Sequence, residues 1–199
     1  VTLDIGLQTN GILITDAAIA NFERASIAVS LSIDGPREAN DLHRTSKRGR
    51  SSFDNALRAL ELLKAHPKVF AGVIAVVDPA ISPEALFKFF ASHQLPKLDF
   101  LLPDSHHLRP PPGRLLNRNL YENWLVRAFD LWLDKYPHIR LRTFEALLDA
   151  AIGLPSQTDA FGLGDVSLIT VETDGSYHDL DVLKVAKPGA TKLKGTVHS

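Results

Sequence analysis

The chain has 199 residues, 45% hydrophobic and 23% charged, with a formal net charge of −1. That balance excludes a disordered or fibrous chain and gives no basic surplus for nucleic acid or an anionic membrane surface. Cysteine is absent, which excludes disulfides, thiolate zinc sites and a cysteine-held cluster on these residues.

No apolar run approaches the roughly 20 residues of a bilayer span. Neither membrane nor nucleic acid is expected as a partner, and a cytoplasmic location is. The first residue, Val1, lies inside a strand-like run, and the chain is read as a segment of something longer.

The stretch from Val1 to Gly11 alternates, with Leu3, Ile5 and Leu7 opposite Asp4, Gly6, Gln8 and Asn10, and predicts a strand. Thr15-Asp16 predicts a capped helix carrying Ala17, Ile19, Ala20 and Phe22. The next strand, Ile27 to Asp34, puts Ile27, Val29, Leu31 and Ile33 on one side and Ala28, Ser30, Ser32 and Asp34 on the other. Gly35-Pro36 stops it. A polar face that grows more polar toward a strand's carboxyl end suits α/β proteins with sites there, although an edge strand with a solvated face has the same pattern.

A basic link, Ser46 to Ser52, follows Arg44, and Ser52 predicts the cap of a helix with Phe53, Ala56, Leu57, Leu60 and Leu63 at helical spacing. The run Phe70 to Pro79 reads as a parallel strand covered on both faces, closing on Asp78. Ser82-Pro83-Glu84 starts a helix with Leu86, Phe87, Phe89 and Phe90, and Leu98 to Asp104 forms the next strand. Arg109 to Arg114 is an extended proline linker, and Asn119 to Tyr136 an amphipathic helix whose Tyr121, Trp124, Leu125, Ala128, Phe129, Trp132 and Leu133 are read as core. Ile139 to Phe144 reads as a short strand before a helix from Glu145 to Ile152. Beyond Gly153 the style changes: Val166 to Val171, then Glu172 to His178, is a hairpin signature in which Asp174-Gly175 suits the turn, and Asp181 to Ser199 looks like the beginning of a second small unit.

Strand and helix alternate, which implies right-handed crossovers and a parallel sheet, either a barrel or an open doubly wound one. Asn10, Asp34, Asp78 and Asp104 then sit on one rim. His106 and His107 are adjacent and point apart on a strand, so no metal site is predicted from them. Asp104 with His106 fits a base and its orienter, the basis for an unrelated barrel lyase or hydrolase. There is no glycine-rich phosphate loop and no nucleophile elbow.

The phrases Gln8-Thr-Asn-Gly11, Val29-Ser-Leu-Ser-Ile-Asp-Gly-Pro36, Asn40-Asp-Leu-His-Arg44, Gly49-Arg-Ser-Ser-Phe-Asp54, Val77-Asp-Pro79, Leu102-Pro-Asp104 and Val171-Glu-Thr-Asp-Gly175, in that order, resemble the radical S-adenosylmethionine enzymes with a SPASM-type extension. The nearest likeness is to ribosomal peptide maturases, with sulfatase-maturing enzymes more distant. The resemblance implies an incomplete (β/α)6 barrel over residues 1–153, a partial parallel α/β barrel, followed by the opening of the extension over 154–199.

It further implies S-adenosylmethionine as cofactor. Ser30 and Ser32 would face its ribose or carboxylate, Arg44 would fork onto the carboxylate, Gln8, Thr9 and Asn10 would border cofactor and substrate, and backbone near Val76 and Leu101 would flank the adenine. The strand positions add Asp34, Asp78 and Asp104 as candidates for peptide contact or proton transfer. The family holds a [4Fe–4S] cluster through a three-cysteine motif after its first strand and has a glycine-rich motif at its second. Neither occurs in these 199 residues, and the resemblance places both ahead of Val1, in a missing N-terminal part. The partner it implies is a precursor peptide or protein, from which a deoxyadenosyl radical abstracts hydrogen. The chain by itself is expected to be inactive. A catalytically dead peptide-binding remnant is the rival reading within the same fold.

Overall fold

A computed structural model describes residues 4–106, 108–155, 158, 168–179, 183–184 and 187–198. The chain runs β1 (Ile5–Thr9), α1 (Asp16–Arg24), β2 (Ile27–Ser32), α2 (Arg37–His43), α3 (Phe53–Lys64), β3 (Phe70–Val76), α4 (Pro83–Ala91), β4 (Leu98–Leu101), α5 (Leu120–Lys135) and α6 (Arg142–Ala151). Three short strands follow, β5 (Thr170–Val171), β6 (Ser176–His178) and β7 (Lys192–Thr196). Strands β1 to β4 lie side by side in chain order, each parallel to its neighbour, and form an open four-stranded run. This is the parallel α/β architecture that the alternation requires, with one helical connection or more between successive strands.

One face of the sheet is sealed by helices. Val29, Leu31 and Ile33 of the second strand and its exit, Val73, Ala75 and Val77 along the third, and Leu98 and Phe100 of the fourth are all buried. They pack with Ala59, Leu60 and Leu63 of α3 and Leu86, Phe87 and Phe90 of α4. Phe100 sits among Phe87, Trp124 and Phe144 at ring separations of 5.7, 5.7 and 6.3 Å, in edge-on geometry that suits the ring quadrupoles.

The other face is polar and partly open. The run beginning at Phe70 therefore departs from its expectation: Ile74 and Val76 are only half-buried, because helices cover one side of β3 and not both. Gly72 has φ +145°, and a Cβ there would lie 2.5 Å from the Lys97 carbonyl oxygen, so the close approach of β3 to the entry of β4 needs a glycine.

Local chemistry explains the other differences. Thr15 and Ser82 cap α1 and α4 as expected, accepting from the Ala18 and Ala85 N–H groups at 3.2 and 3.3 Å. Ser52 does not cap α3; its hydroxyl instead donates to the Arg44 carbonyl at 2.6 Å. Helix α2 is an addition, formed where Pro36 holds an extended N-cap and Glu38 lies in the first turn. The strand expected over Ile139 to Phe144 reduces to one parallel bridge, Leu98 to Leu141, with the Leu98 N–H donating to the Arg140 carbonyl at 2.8 Å. Helix α6 begins at once at Arg142, whose guanidinium reaches buried Asp99, while the Thr143 hydroxyl meets Asp99 at 2.6 Å.

On α5, Tyr121, Trp124, Ala128 and Trp132 are buried, whereas Leu133 is exposed and stands outside the stripe assigned to it. The two indole N–H groups donate to the Ile81 and Ile139 carbonyls at 2.7 and 2.8 Å. These bonds fix the helix along and across its axis.

The expected hairpin forms between β5 and β6 around Gly175 at φ +81°, and β7 adds antiparallel to β6. Of its expected first strand, Val166 and Ser167 lie outside the described residues, as does His107. No helix among the described residues is long and apolar enough to cross a membrane.

Candidate active site

Because the strands are parallel, their carboxyl ends share one edge of the sheet, and there a pocket of about 510 Å³ opens. Asp34 enters it from the exit of β2, Val76, Val77 and Asp78 from the exit of β3, and Pro103 and Asp104 from beyond β4. His43 and Arg44 come from the end of α2, Arg109, Pro110 and Pro112 from the proline segment, and Tyr121 from α5. Three of the predicted rim carboxylates thus converge. Asn10 does not line this pocket; it closes its own turn, accepting from the Ile12 N–H at 3.2 Å.

The carboxylates differ in what they have left to offer. Asp34 is buried, and Arg44 forks onto it through Nε at 2.5 Å and Nη2 at 2.8 Å. Its Oδ1 also accepts from the Val76 N–H at 2.9 Å, which ties the exits of β2 and β3 to the end of α2. The guanidinium expected to meet a cofactor carboxylate therefore has its Nε–Nη2 edge on Asp34, and Nη1 with the second Nη2 hydrogen is left for another anion.

Asp78 is held at both oxygens, by the Ala80 N–H at 2.8 Å and by His43 Nε2 at 2.8 Å. Asp104 is exposed on the pocket wall. The Tyr121 hydroxyl donates to the Pro112 carbonyl at 3.1 Å, and burial, with a smaller push from Asp78, raises its phenol above the usual range.

The sequence alone does not single out His43. It sits 35 positions from Asp78, and helix α2, which carries it, has too little apolar periodicity to be seen. The only signal is its place inside the phrase Asn40 to Arg44.

The remaining predicted residues lie on the polar face of the sheet or at its rim. Gln8 Nε2 donates to the buried Ser32 hydroxyl at 3.0 Å, linking β1 to β2. Thr9 accepts from the Gly11 N–H at 3.1 Å. Ser30 lines a second hollow of about 290 Å³ with Gly72, Ile74, Lys97, Asp99 and Arg142. Leu101 is exposed on the open face, and its carbonyl accepts from the Val77 N–H at 2.9 Å. His106 Nδ1 accepts from the Leu108 N–H at 3.3 Å, within a tight loop that closes on Arg109. Among the described residues no three His, Asp or Glu side chains converge as a ligand set for a metal ion.

No protein-family model matches the chain. It is 28% identical over 182 residues to a cysteine-type anaerobic sulfatase-maturating enzyme of Clostridium perfringens, covering 88% of this chain and 49% of that protein. An uncharacterised protein of Synechocystis is 28% identical over 147 residues, 72% of this chain and 37% of that one. A serine-type anaerobic sulfatase-maturating enzyme of Klebsiella aerogenes is 41% identical over 76 residues, 38% of this chain and 19% of that enzyme. The chain thus spans about half or less of the length of the relatives it matches.

Among solved structures, native anSMEcpe with bound AdoMet and Cp18Cys peptide matches with a TM-score of 0.75 and 25% identity, over 89% of this chain and 51% of that one. Polyhistidine-tagged anSMEcpe with bound AdoMet matches with a TM-score of 0.78 and 24% identity, over 97% and 55%. In sequence and in fold, the chain is similar to the anaerobic sulfatase-maturating enzymes.

Proposed function

We propose that residues 1–153 supply part of a radical S-adenosylmethionine barrel and residues 154–199 the opening of a SPASM-like extension, in an enzyme that modifies a side chain of a precursor peptide or protein. The observation that carries this is the pocket at the strand exits, in a sheet that matches structures solved with AdoMet and a peptide.

The donor set fits the nucleoside. Gln8, Ser30 and Ser32 offer hydroxyl and amide groups from the open face, and the free edge of Arg44 suits a carboxylate. The donor set does not fit an iron–sulfur cluster, since the 199 residues contain no cysteine; any thiolates for one come from outside them. When bound and reduced, S-adenosylmethionine supplies a hydrogen-abstracting radical.

The chain's own residues bind and orient. The Gln8–Ser32 pair holds two strand ends at one height, and the Asp34–Arg44–Val76 bonds hold the next two. Tyr121 and the prolines it anchors form a wall against which an extended peptide can lie.

Release of 5′-deoxyadenosine by the cluster-bearing enzyme, in the presence of its peptide, tests the reading. Gln8→Ala and Ser32→Ala each should lower that release about tenfold, the loss of one polar contact to the ligand. No deoxyadenosine from the wild type overturns the proposal.

A further inference from the structure

We propose that His43, oriented by Asp78, is the proton acceptor of the strand-exit pocket, taking the proton from an S–H or O–H group of the bound side chain. This rests on the peptide-modifying reading above and names a residue for one step of it.

Three observations carry it. The first is commitment: Asp34 accepts three hydrogen bonds and Asp78 one at each oxygen, all from groups of the chain itself. The second is orientation. Asp78 is locked by the Ala80 N–H, and its other oxygen meets His43 Nε2 at 2.8 Å, which favours the proton on Nε2 and leaves the lone pair on Nδ1. Nδ1 carries no hydrogen bond among the described residues. The third is access, since the imidazole is 53% exposed and lines the pocket.

His43 is also the last residue of α2. The charged and titratable groups facing the pocket from every element around it are Asp34, Arg44, Asp78, Asp104, Arg109 and Tyr121. Asp34 and Arg44 neutralise each other, and Arg109 and Asp104 are further charged groups lining the pocket. Asp78 is the carboxylate that meets His43 directly. In the step itself the substrate proton moves to Nδ1, and the electron pair of the broken bond stays on sulfur or oxygen. The Nε2–H remains on Asp78.

The first test uses the cofactor-free 199-residue chain labelled with nitrogen-15 in histidine. At alkaline pH the neutral His43 ring is expected with its proton on Nε2, and Asp78→Asn should shift the ring toward a tautomer mixture. A wild-type proton on Nδ1 overturns the proposal. The second test uses the cluster-bearing enzyme with its peptide. His43→Ala should lower modified peptide about a hundredfold, the usual worth of a proton acceptor, and lower deoxyadenosine release far less. Added imidazole should restore part of the product in His43→Ala and none in Asp78→Asn. Unchanged product, or deoxyadenosine and product lost together, overturns the assignment. A wild type that releases no deoxyadenosine removes the wider functional reading, whatever the tautomer shows.

Discussion

Asp34 is 5% exposed and Arg44 24%, and the pair joins two strand exits to a helix end. Cutting Arg44 back leaves a buried carboxylate with only one backbone donor. Arg44→Ala should therefore destabilise the chain by about 2–4 kcal/mol, a buried-pair loss reduced for the partial exposure of the guanidinium. Urea denaturation followed by Trp124 and Trp132 fluorescence reads this directly, and a change below about 0.5 kcal/mol, the size of an ordinary surface effect, would remove Asp34 as the tie between strands. The alternation of Ser30, Ser32 and Asp34 told which face Asp34 occupies and at which end of the strand. It could not tell that the carboxylate is spent, because a period of two assigns a face and never a partner. The same gap hid His43, whose partner Asp78 lies one helix and one strand further on.

Elements with a strong apolar period were legible, and those held by polar side chains were not. Helix α5 announces itself through its aromatic stripe, while α2, with the sequence Arg-Glu-Ala-Asn-Asp-Leu-His, offers only Ala39 and Leu42 as apolar marks. The Ile139 to Phe144 segment has a strand-like pattern that Asp99 overrides by drawing in Arg142 and Thr143. Within α5, Trp124→Phe keeps the ring in the cluster but strands the Ile81 carbonyl, and should cost about 1–2 kcal/mol in the same denaturation experiment.

The β5–β6 hairpin has a different sensitivity. The Ser176 hydroxyl, and then its backbone N–H, hold the Asp174 carboxyl below the usual carboxylate range. A depressed folded value means that the carboxylate stabilises the turn above about pH 4, the unfolded value, and that this support is lost as pH falls through the folded one. The Gly175 and Ser176 amide signals should therefore shift together below about pH 4 in the wild type, and Asp174→Asn should abolish the transition.

At the scale of the whole molecule, the sheet is finished on one side only. Along β4 the chain covers its own edge, through the Leu98–Leu141 bridge and α6. Among the described residues β1 pairs with β2 and with nothing beyond it, and its Ile5 and Leu7 are 43% and 39% exposed. Leu7 lies in register with Val29, which is completely buried under helices, and Ile5 with Ile27, which is half-buried. The difference arises because α1 and α3 pack over β2 and leave the outer strand bare. An open parallel edge flanked by exposed apolar side chains is a template for another strand. The 199-residue chain should accordingly associate with itself as concentration rises, and Leu7→Lys, which puts a charge on that face without touching the rim pocket, should suppress the association. Sedimentation velocity across a concentration series decides it: a wild type that stays monomeric at about 100 μM, where an exposed edge should pair, would mean that β1 is already covered in solution.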